Sequence, residues 1–225
     1  MKSTNSLRRA YAVNKFITYF FLILGALIMV FPFAWMILTS SKTVAESLAV
    51  DPVVIFPAKW MLDNFKDAIK SLPFGRLYWN TTLMVFFRVI CAVLFSSMAG
   101  YAFAKLRFRG KNLLFGIVLI QMSLPSQIFI IPQYQMVARM GMANTIFALV
   151  FPGLVSAFGV FFLRQTYMSI PDEVGEAAYL DGCNQWQTFY KVMFPLTGTS
   201  VAALTIFTAV FAYGDLMWPL VVNSD

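Results

Sequence analysis

The feature that most constrains this chain is a series of long segments without charge. Lys15 and Lys42 bracket 26 uncharged residues, and about 20 apolar residues suffice to cross a bilayer as an α-helix. Four more such segments follow, and the first of them contains one charge, Arg88: residues 77–104, 112–138, 140–163 and 192–214. The sequence therefore predicts an all-α, polytopic transmembrane helix bundle with five spans.

The composition agrees with a lipid environment. Of the 225 residues 60% are hydrophobic and 12% charged, whereas soluble domains have about 25% charged residues. Histidine is absent, which removes the commonest acid–base group and metal ligand. Cys91 and Cys183 are not expected to pair, because one lies in an apolar run and the other in a polar loop. The basic amino end is not read as a signal peptide, because the apolar run after it is too long and no small-residue cleavage site follows.

Basic residues lie between the apolar runs, which indicates topology rather than nucleic-acid binding. Ten of them precede the first span or fall in every second loop: Lys2, Arg8, Arg9, Lys15, Lys105, Arg107, Arg109, Lys111, Arg164 and Lys191. The positive-inside rule then places the amino terminus and the loops around 105–111 and 164–195 in the cytoplasm. With five spans, the carboxyl end is expected outside.

These patterns divide the chain into four parts. Residues 1–15 form a basic cytoplasmic amino terminus, 16–41 the first span, 42–76 an extracytoplasmic loop, and 77–225 the main transmembrane domain. In the outer loop Asp63 is expected to cap a short amphipathic helix with Phe65, Ala68, Ile69 and Leu72 on its apolar face. That helix either covers the ends of spans or serves in docking.

The longest polar stretch of the second half, "EVGEAAYLDGCNQWQTFYKVMFPL", predicts a helical hairpin. Acidic residues after Pro171 suit a helix amino end, and Gly182 is expected to end this helix in a left-handed turn. Val174, Ala177 and Ala178 are expected to form its short apolar face. Asn184 is expected to cap a second helix, whose apolar face includes Phe189 and Met193. The hairpin either merely joins two spans or is a docking element, with alanines, a glycine and carboxylates at an exposed tip.

The same stretch resembles a known motif. Glu176-Ala177-Ala178, three residues, Gly182, nine residues and then Val192-Met193-Phe194-Pro195 resemble the "EAA" loop, although Val192 and Phe194 replace its usual isoleucine and leucine. The segments "YAFAKLRFRGK", "LPSQIFIIPQY" and "GDLMWPLVVNSD" are similar to the carbohydrate-uptake branch of the family. The chain thus resembles permease subunits of binding-protein-dependent ABC importers, of the maltose-transporter type, over most of residues 14–225.

The resemblance implies a sugar or oligosaccharide permease of the bacterial plasma (inner) membrane that forms half of a translocation path. The hairpin would be a coupling helix seated in an ATPase subunit, with five coupling residues: Glu176, Ala177, Ala178, Asp181 and Gly182. The expected partners are a pair of ATPase subunits, a second homologous permease, an extracytoplasmic sugar-binding protein and membrane lipid. ATP would be bound by the ATPase subunits, so no cofactor, catalytic residue or metal site is expected here. Relatives of this branch usually have six spans, and we expect the sixth to be missing from this chain, which stops at Asp225 just after the fifth.

Three features inside the spans have structural or functional interpretations. Arg88 either faces an aqueous path for a hydroxyl-rich substrate or pairs with Asp215. Ala92, Ser96, Gly100 and Ala104 form a small-residue ridge that favours helix packing over a place in the path. The tryptophans near the outer span ends, Trp35, Trp79 and Trp218, are expected to anchor the chain at the membrane interface.

Two other function classes compete with the ABC permease. A secondary transporter or channel is the main alternative, but ion coupling normally needs carboxylates or histidine at bilayer depth, and none lies deep in these spans. A membrane enzyme needs a nucleophile with a base, or metal ligands, and the sequence offers no such set. The chain also lacks a glycine-rich phosphate loop, so ATP hydrolysis would fall to separate subunits.

Overall fold

The computed structural model describes residues 2–223, with side chains from residue 11 onward. Within that range the chain is helical, without β-strands, as the apolar runs predicted. It forms two units, one ending at Phe74 and the other beginning at Gly75.

The first unit contains one long helix and two short ones: α1 (Lys2–Ser40), α2 (Val44–Leu48) and α3 (Asp63–Ser71). The Asn64 side chain ties α3 to the end of α1, since its amide donates to the carbonyls of Ser40 at 3.0 Å and Lys42 at 2.9 Å. The Lys42 ammonium is buried over the Trp35 ring, 4.5 Å from its centroid. The loop therefore folds back on the carboxyl end of α1.

The second unit is a bundle whose elements run in chain order from Phe74 to Val222. Its α-helices are α4 (Phe74–Lys105), α5 (Lys111–Ser123), α6 (Ile130–Arg139), α7 (Ile146–Val150), α8 (Ala157–Ser169), α9 (Asp172–Leu180), α10 (Gln185–Gln187), α11 (Phe194–Leu196), α12 (Gly198–Tyr213) and α13 (Met217–Val222). Short 3₁₀ turns cover Ser126–Phe129 and Phe151–Gly153, and a π-helical turn covers Thr188–Met193.

Three predicted spans are bent pairs of helices. The bends are 106° between Lys111–Ser123 and Ser126–Arg139, 48° between Ile146–Gly153 and Ala157–Ser169, and 77° between Gln185–Leu196 and Gly198–Tyr213. At the sharpest bend Leu124 has an extended ψ of 136°, because the residue before a proline disfavours helical backbone. The described chain thus has two helices long and apolar enough to cross a membrane, or up to five spans if each bent pair counts as one.

The small-residue ridge packs α4 against α8. Ala92 and Ser96 are buried, and a Cβ on Gly100 would lie 2.9 Å from the backbone nitrogen of Arg164. The Ser96 hydroxyl also donates to the Ser156 carbonyl at 3.3 Å. The predicted packing role of the ridge is therefore confirmed, because its small residues allow the backbones of two helices to approach closely.

Two buried clusters stabilise the second unit. The first joins α4, α6, α7 and α13 through Met84, Val137, Leu149, Trp218 and Val222. The second joins α4, α8, the π-helical turn and α12 through Val93, Tyr101, Leu163, Tyr167, Phe189, Met193 and Leu204. Residues of the hairpin thus belong to the same apolar core as the membrane helices.

Some local expectations were wrong. Trp218 is 4% exposed and its indole donates to the Ala148 carbonyl at 2.8 Å, so it is a core residue and not an interface anchor. Asp63 is the first residue of α3 rather than its cap, and its carboxylate pairs with Lys66 at 2.8 Å. The helix predicted to begin at residue 140 begins at Ile146, because a turn with left-handed Gly141 intervenes.

Candidate functional site

The first arm of the hairpin is α9, which runs from Asp172 to Leu180. Pro171 precedes it, and Asp172 and Glu173 in its first turn suit the positive end of the helix dipole. Gly182 ends the arm at φ +82°. Its N–H donates to the Tyr179 carbonyl at 3.0 Å, and the next N–H donates to the Ala178 carbonyl at 2.9 Å. This is the Schellman arrangement, which places glycine at the left-handed position, and it confirms the predicted turn.

The second arm begins at a capping box. The Asn184 side chain accepts from the backbone N–H of Gln187 at 2.8 Å, and the Gln187 side chain accepts from the Asn184 N–H at 2.9 Å. The predicted cap at Asn184 is therefore confirmed. The arm continues through the π-helical turn Thr188–Met193, a wider winding that the sequence pattern had not predicted.

The two arms pack tightly because small residues face the contact. Gly175 and Ala178 are buried, and a Cβ on Gly175 would lie 3.2 Å from the Met193 methyl group. The apolar face of α9 is thus formed by Val174, Gly175 and Ala178, whereas the expected face included Ala177, which is exposed. The small residues of this face serve packing within the hairpin.

The hairpin is fastened to the membrane helices by an ion pair and an aromatic cluster. The Lys105 ammonium at the end of α4 donates to the Asp172 carboxylate and to the Ile170 carbonyl. This hydrogen bond and charge hold the pKa of the Asp172 carboxyl below its usual range. The buried Phe189 ring lies 5.2 Å from that of Tyr101 on α4 and 6.5 Å from that of Tyr167 on α8. Movement of the hairpin base therefore requires α4 and α8 to move or this cluster to break.

Four of the five predicted coupling residues lie on the hairpin surface: Glu176, Ala177, Asp181 and Gly182 are exposed. Ala178 is 5% exposed, so its expected place at the exposed tip was wrong. The sequence reading missed Leu180, which is 90% exposed beside Asp181 and Gly182. The sequence pattern that could have indicated Leu180 is an apolar residue that lies outside the apolar face of a short helix.

The second feature is a cavity of about 980 Å³ within the second unit. Arg88, the candidate path residue, lines it, about 21 Å from the start of α4 and about 26 Å from its end at 1.5 Å per residue. Its guanidinium Nη1 lies 2.9 Å from the Asp215 carboxylate Oδ2, and the two side chains are 11% and 25% exposed. Arg88 is thus paired with Asp215, which was one of its two predicted alternatives, and it also lines the cavity. Its place in a substrate path stays a prediction.

The rest of the cavity wall is mostly apolar, with aliphatic and aromatic side chains and a few neutral polar groups. Amides and hydroxyls come from Gln121, Gln127, Gln133, Ser156 and Thr208, and aromatic rings from Phe129, Phe158, Phe207 and Phe211. The sequence did not predict this set, because its members come from five helical segments and from Ser156 just before α8. The available signal was four glutamines in one bent span, of which Gln121, Gln127 and Gln133 line the cavity. Over residues 2–223, no group of three or more His, Cys, Asp or Glu could hold a metal ion.

This architecture defines a class of membrane protein. The solved structure titled "Crystal structure of a bacterial ABC transporter involved in the import of the acidic polysaccharide alginate" contains a similar chain, with a TM-score of 0.79. The match covers 96% of this chain and 76% of that one at 22% identity. This chain therefore shares the fold of a chain of that ABC transporter.

The family follows from sequence. Residues 92–225 match the family described as "Binding-protein-dependent transport system inner membrane component". The arabinooligosaccharides transport system permease protein AraQ of Halalkalibacterium halodurans is 37% identical over 202 residues, which cover 88% of this chain and 71% of AraQ. The sn-glycerol-3-phosphate transport system permease protein UgpE of Escherichia coli K12 is 30% identical over 212 residues, which cover 91% and 74%. The chain belongs to this family of inner membrane components and is a membrane-embedded permease subunit of an ABC importer.

Proposed function

We propose that this subunit forms half of the translocation path of an ATP-driven importer for a sugar or oligosaccharide, and that it receives the motion of an ATPase subunit through the hairpin 172–196. A companion permease would form the other half, and an extracytoplasmic binding protein would deliver the sugar. ATP would be bound and hydrolysed by a pair of ATPase subunits, so this chain itself would carry no catalytic residue. The amino terminus and the hairpin would face the cytoplasm.

The observation that carries the proposal is the construction of the hairpin. Its tip presents exposed side chains, including Glu176, Leu180 and Asp181, whereas its base is buried in the core shared by α4, α8 and α12. An element with a free tip and a fixed base transmits displacement, because close-packed interiors are stiff. A hairpin that merely joined two spans would not require this buried base.

The sugar assignment is supported by one relative, AraQ, and by the cavity. AraQ is named for arabinooligosaccharides, and the cavity walls combine amides, hydroxyls and aromatic rings. Polar groups on an otherwise apolar wall are the usual pattern of small-molecule sites.

The first experiment tests docking by charge reversal. Glu176→Lys in the complete transporter should weaken co-purification of the ATPase subunit, because an exposed carboxylate near the tip becomes a cation. Asp67→Lys makes the same charge change at an exposed position of α3, on the side expected to face outward, and should leave co-purification unchanged. Normal recovery of the ATPase with Glu176→Lys would count against hairpin docking.

The second experiment tests sidedness and energy source. A cysteine at Asp181, in a background with Cys91 and Cys183 replaced by serine, should resist a membrane-impermeant thiol reagent in intact cells and react in inverted vesicles. Uptake should be blocked by vanadate, whereas uptake abolished by an uncoupler alone would favour a secondary transporter. Labelling from outside intact cells would refute the proposed orientation.

A further inference from the structure

The cavity contains a balanced pair of charges. Among the described residues that line it, Arg88 and Asp215 are the two that carry charge, and they are joined at 2.9 Å. The remaining polar groups of the wall are neutral amides and hydroxyls. The cavity therefore has no net charge, although it contains a guanidinium.

The ion pair is held in place from both sides. A Cβ on Gly153 would fall on the Arg88 side chain, so the absence of a side chain there makes room for the guanidinium. The second Asp215 oxygen, Oδ1, accepts from the Trp218 backbone N–H at 3.4 Å, and the Trp218 ring is anchored in the core. The donors and acceptors of the pair are thus presented in a fixed arrangement.

A fixed guanidinium–carboxylate pair suits hydroxyl groups better than anions. Arginine has five N–H donors, and an ionised carboxylate has about four acceptor sites, so both groups retain capacity beyond their mutual hydrogen bond. A hydroxyl both donates and accepts, and it can accept from Arg88 while donating to Asp215. A phosphate that approached Arg88 would lie beside the Asp215 carboxylate, and like charges in contact disfavour each other strongly in a site of low dielectric constant.

Aromatic and amide groups complete the wall. Phe158 and Phe207 lie edge to face, with ring centroids 6.2 Å apart, and both line the cavity with Gln121, Gln133 and Thr208. Rings of this kind offer apolar surface to the C–H faces of a ligand, and the amides add donors and acceptors without charge. At about 980 Å³ the space is at the upper end of the range found for ligand sites.

We infer that this cavity is a binding site for an uncharged, polyhydroxylated segment of the transported molecule, and that the Arg88–Asp215 pair selects against phosphorylated substrates. The inference rests on the proposed function and deepens it, because it assigns a substrate class to the cavity that residues of this subunit line. It also separates this chain from a carrier of anions such as the one for which UgpE is named.

The test removes one charge of the pair. Asp215→Asn keeps the side-chain shape and leaves the Arg88 charge uncompensated, and the complete transporter in lipid nanodiscs is assayed without binding protein. The probes are radiolabelled neutral oligosaccharides of arabinose and glucose, and sn-glycerol 3-phosphate. The unaltered transporter should bind a neutral probe and not the phosphate. Asp215→Asn should weaken neutral binding at least about tenfold, as expected for loss of one hydrogen bond to a charged group, and should gain phosphate binding.

Two further variants control for folding and for charge alone. Asp63→Asn makes the same change in the exposed Asp63–Lys66 pair and should alter neither affinity. Arg88→Gln combined with Asp215→Asn restores neutrality, so this double variant should lose the gained phosphate binding.

The inference is overturned if no neutral probe binds, if the unaltered transporter prefers the phosphate, or if Asp215→Asn changes neither affinity. Failure of the proposed function is read separately, as absence of vanadate-sensitive uptake by the unaltered complete transporter. A transporter with such uptake but with an unresponsive Asp215→Asn variant would retain the proposed function and lose the substrate-class inference.

Discussion

Gly182→Ala should impair transport, because it strains the left-handed turn that joins the two arms of the hairpin. Gly182 has φ +82°, and no atom lies within 4 Å of the position that a Cβ would take. The added methyl group therefore meets no neighbour in this subunit, and its effect is confined to the backbone. L-residues in left-handed conformation cost roughly 1–2 kcal/mol, which changes a local equilibrium roughly 5- to 30-fold. The hairpin tip should consequently spend more time away from the conformation in which both Schellman hydrogen bonds form.

The chain provides a matched control in Gly141. It has φ +67° and open space around its Cβ position. Its N–H donates to the Ala138 carbonyl at 3.0 Å, and the Met142 N–H donates to the Val137 carbonyl at 3.1 Å, which repeats the hydrogen-bond pattern at Gly182. Gly141→Ala should therefore introduce the same strain in a turn that belongs to a different loop.

The assay measures ATP hydrolysis and labelled sugar uptake by the complete transporter in proteoliposomes, normalised to the amount of subunit inserted. Gly182→Ala should lower uptake per ATP hydrolysed, and Gly141→Ala should leave that ratio unchanged. Gly182→Asn should restore part of the coupling, because asparagine visits the left-handed region, as Asn144 does here at φ +59°. Equal losses of coupling in the two alanine variants, or none in either, would refute the reasoning.

Three further predictions concern the supports of the hairpin. Tyr167→Phe leaves the buried Ser97 hydroxyl without its partner and should destabilise the subunit by about 1–3 kcal/mol, seen as a lower midpoint of thermal unfolding in detergent. Gly100→Val forces a side chain to within about 3 Å of a backbone nitrogen of α8 and should cost about 1–3 kcal/mol; Gly116→Val, where the Cβ meets open space, should have a smaller effect on the same midpoint. The ion pair with Lys105 lowers the pKa of Asp172, so the pair stabilises the hairpin at pH values above the ordinary aspartate pKa. This stabilisation is lost as the pH falls through the lowered pKa. Carboxyl NMR should therefore give Asp172 a titration midpoint below the ordinary aspartate pKa, which is about 3.9. A midpoint at or above it would contradict the ion pair.

Features set by local chemistry were predictable from sequence. The turn at Gly182 and the cap at Asn184 depend on residues within a few positions of each other, and both are confirmed. The ridge through Gly100 was predictable for a similar reason, because four-residue spacing places small side chains on one helix face.

Features that depend on tertiary packing were harder to predict from the sequence. The burial of Trp218 depends on the Ala148 carbonyl 70 positions away, and no local pattern encodes that partner. The exposure of Ala177 and the burial of Gly175 depend on which side of α9 meets the second arm, where the Met193 methyl group lies against Gly175. The Arg88–Asp215 pair could be offered as one of two alternatives, because few charges lie within the predicted spans, but distance alone decides between them.

The placement of the cavity and hairpin on the same helices limits how the proposed coupling can work. The start of α8 borders the cavity at Phe158, whereas its end lies in the hairpin core at Tyr167. The backbones of α4 and α8 are in close contact at Gly100, and such close packing resists their separation. In the cavity wall, Arg88 on α4 is paired with Asp215, which follows the carboxyl end of α12. The first half of α12 belongs to the hairpin core through Leu204, whereas Asp215 lies beyond its other end. A displacement of the hairpin that reaches the cavity along α4 and α8 would therefore act on the Arg88–Asp215 pair, and we expect the proposed coupling to change the separation of these two side chains.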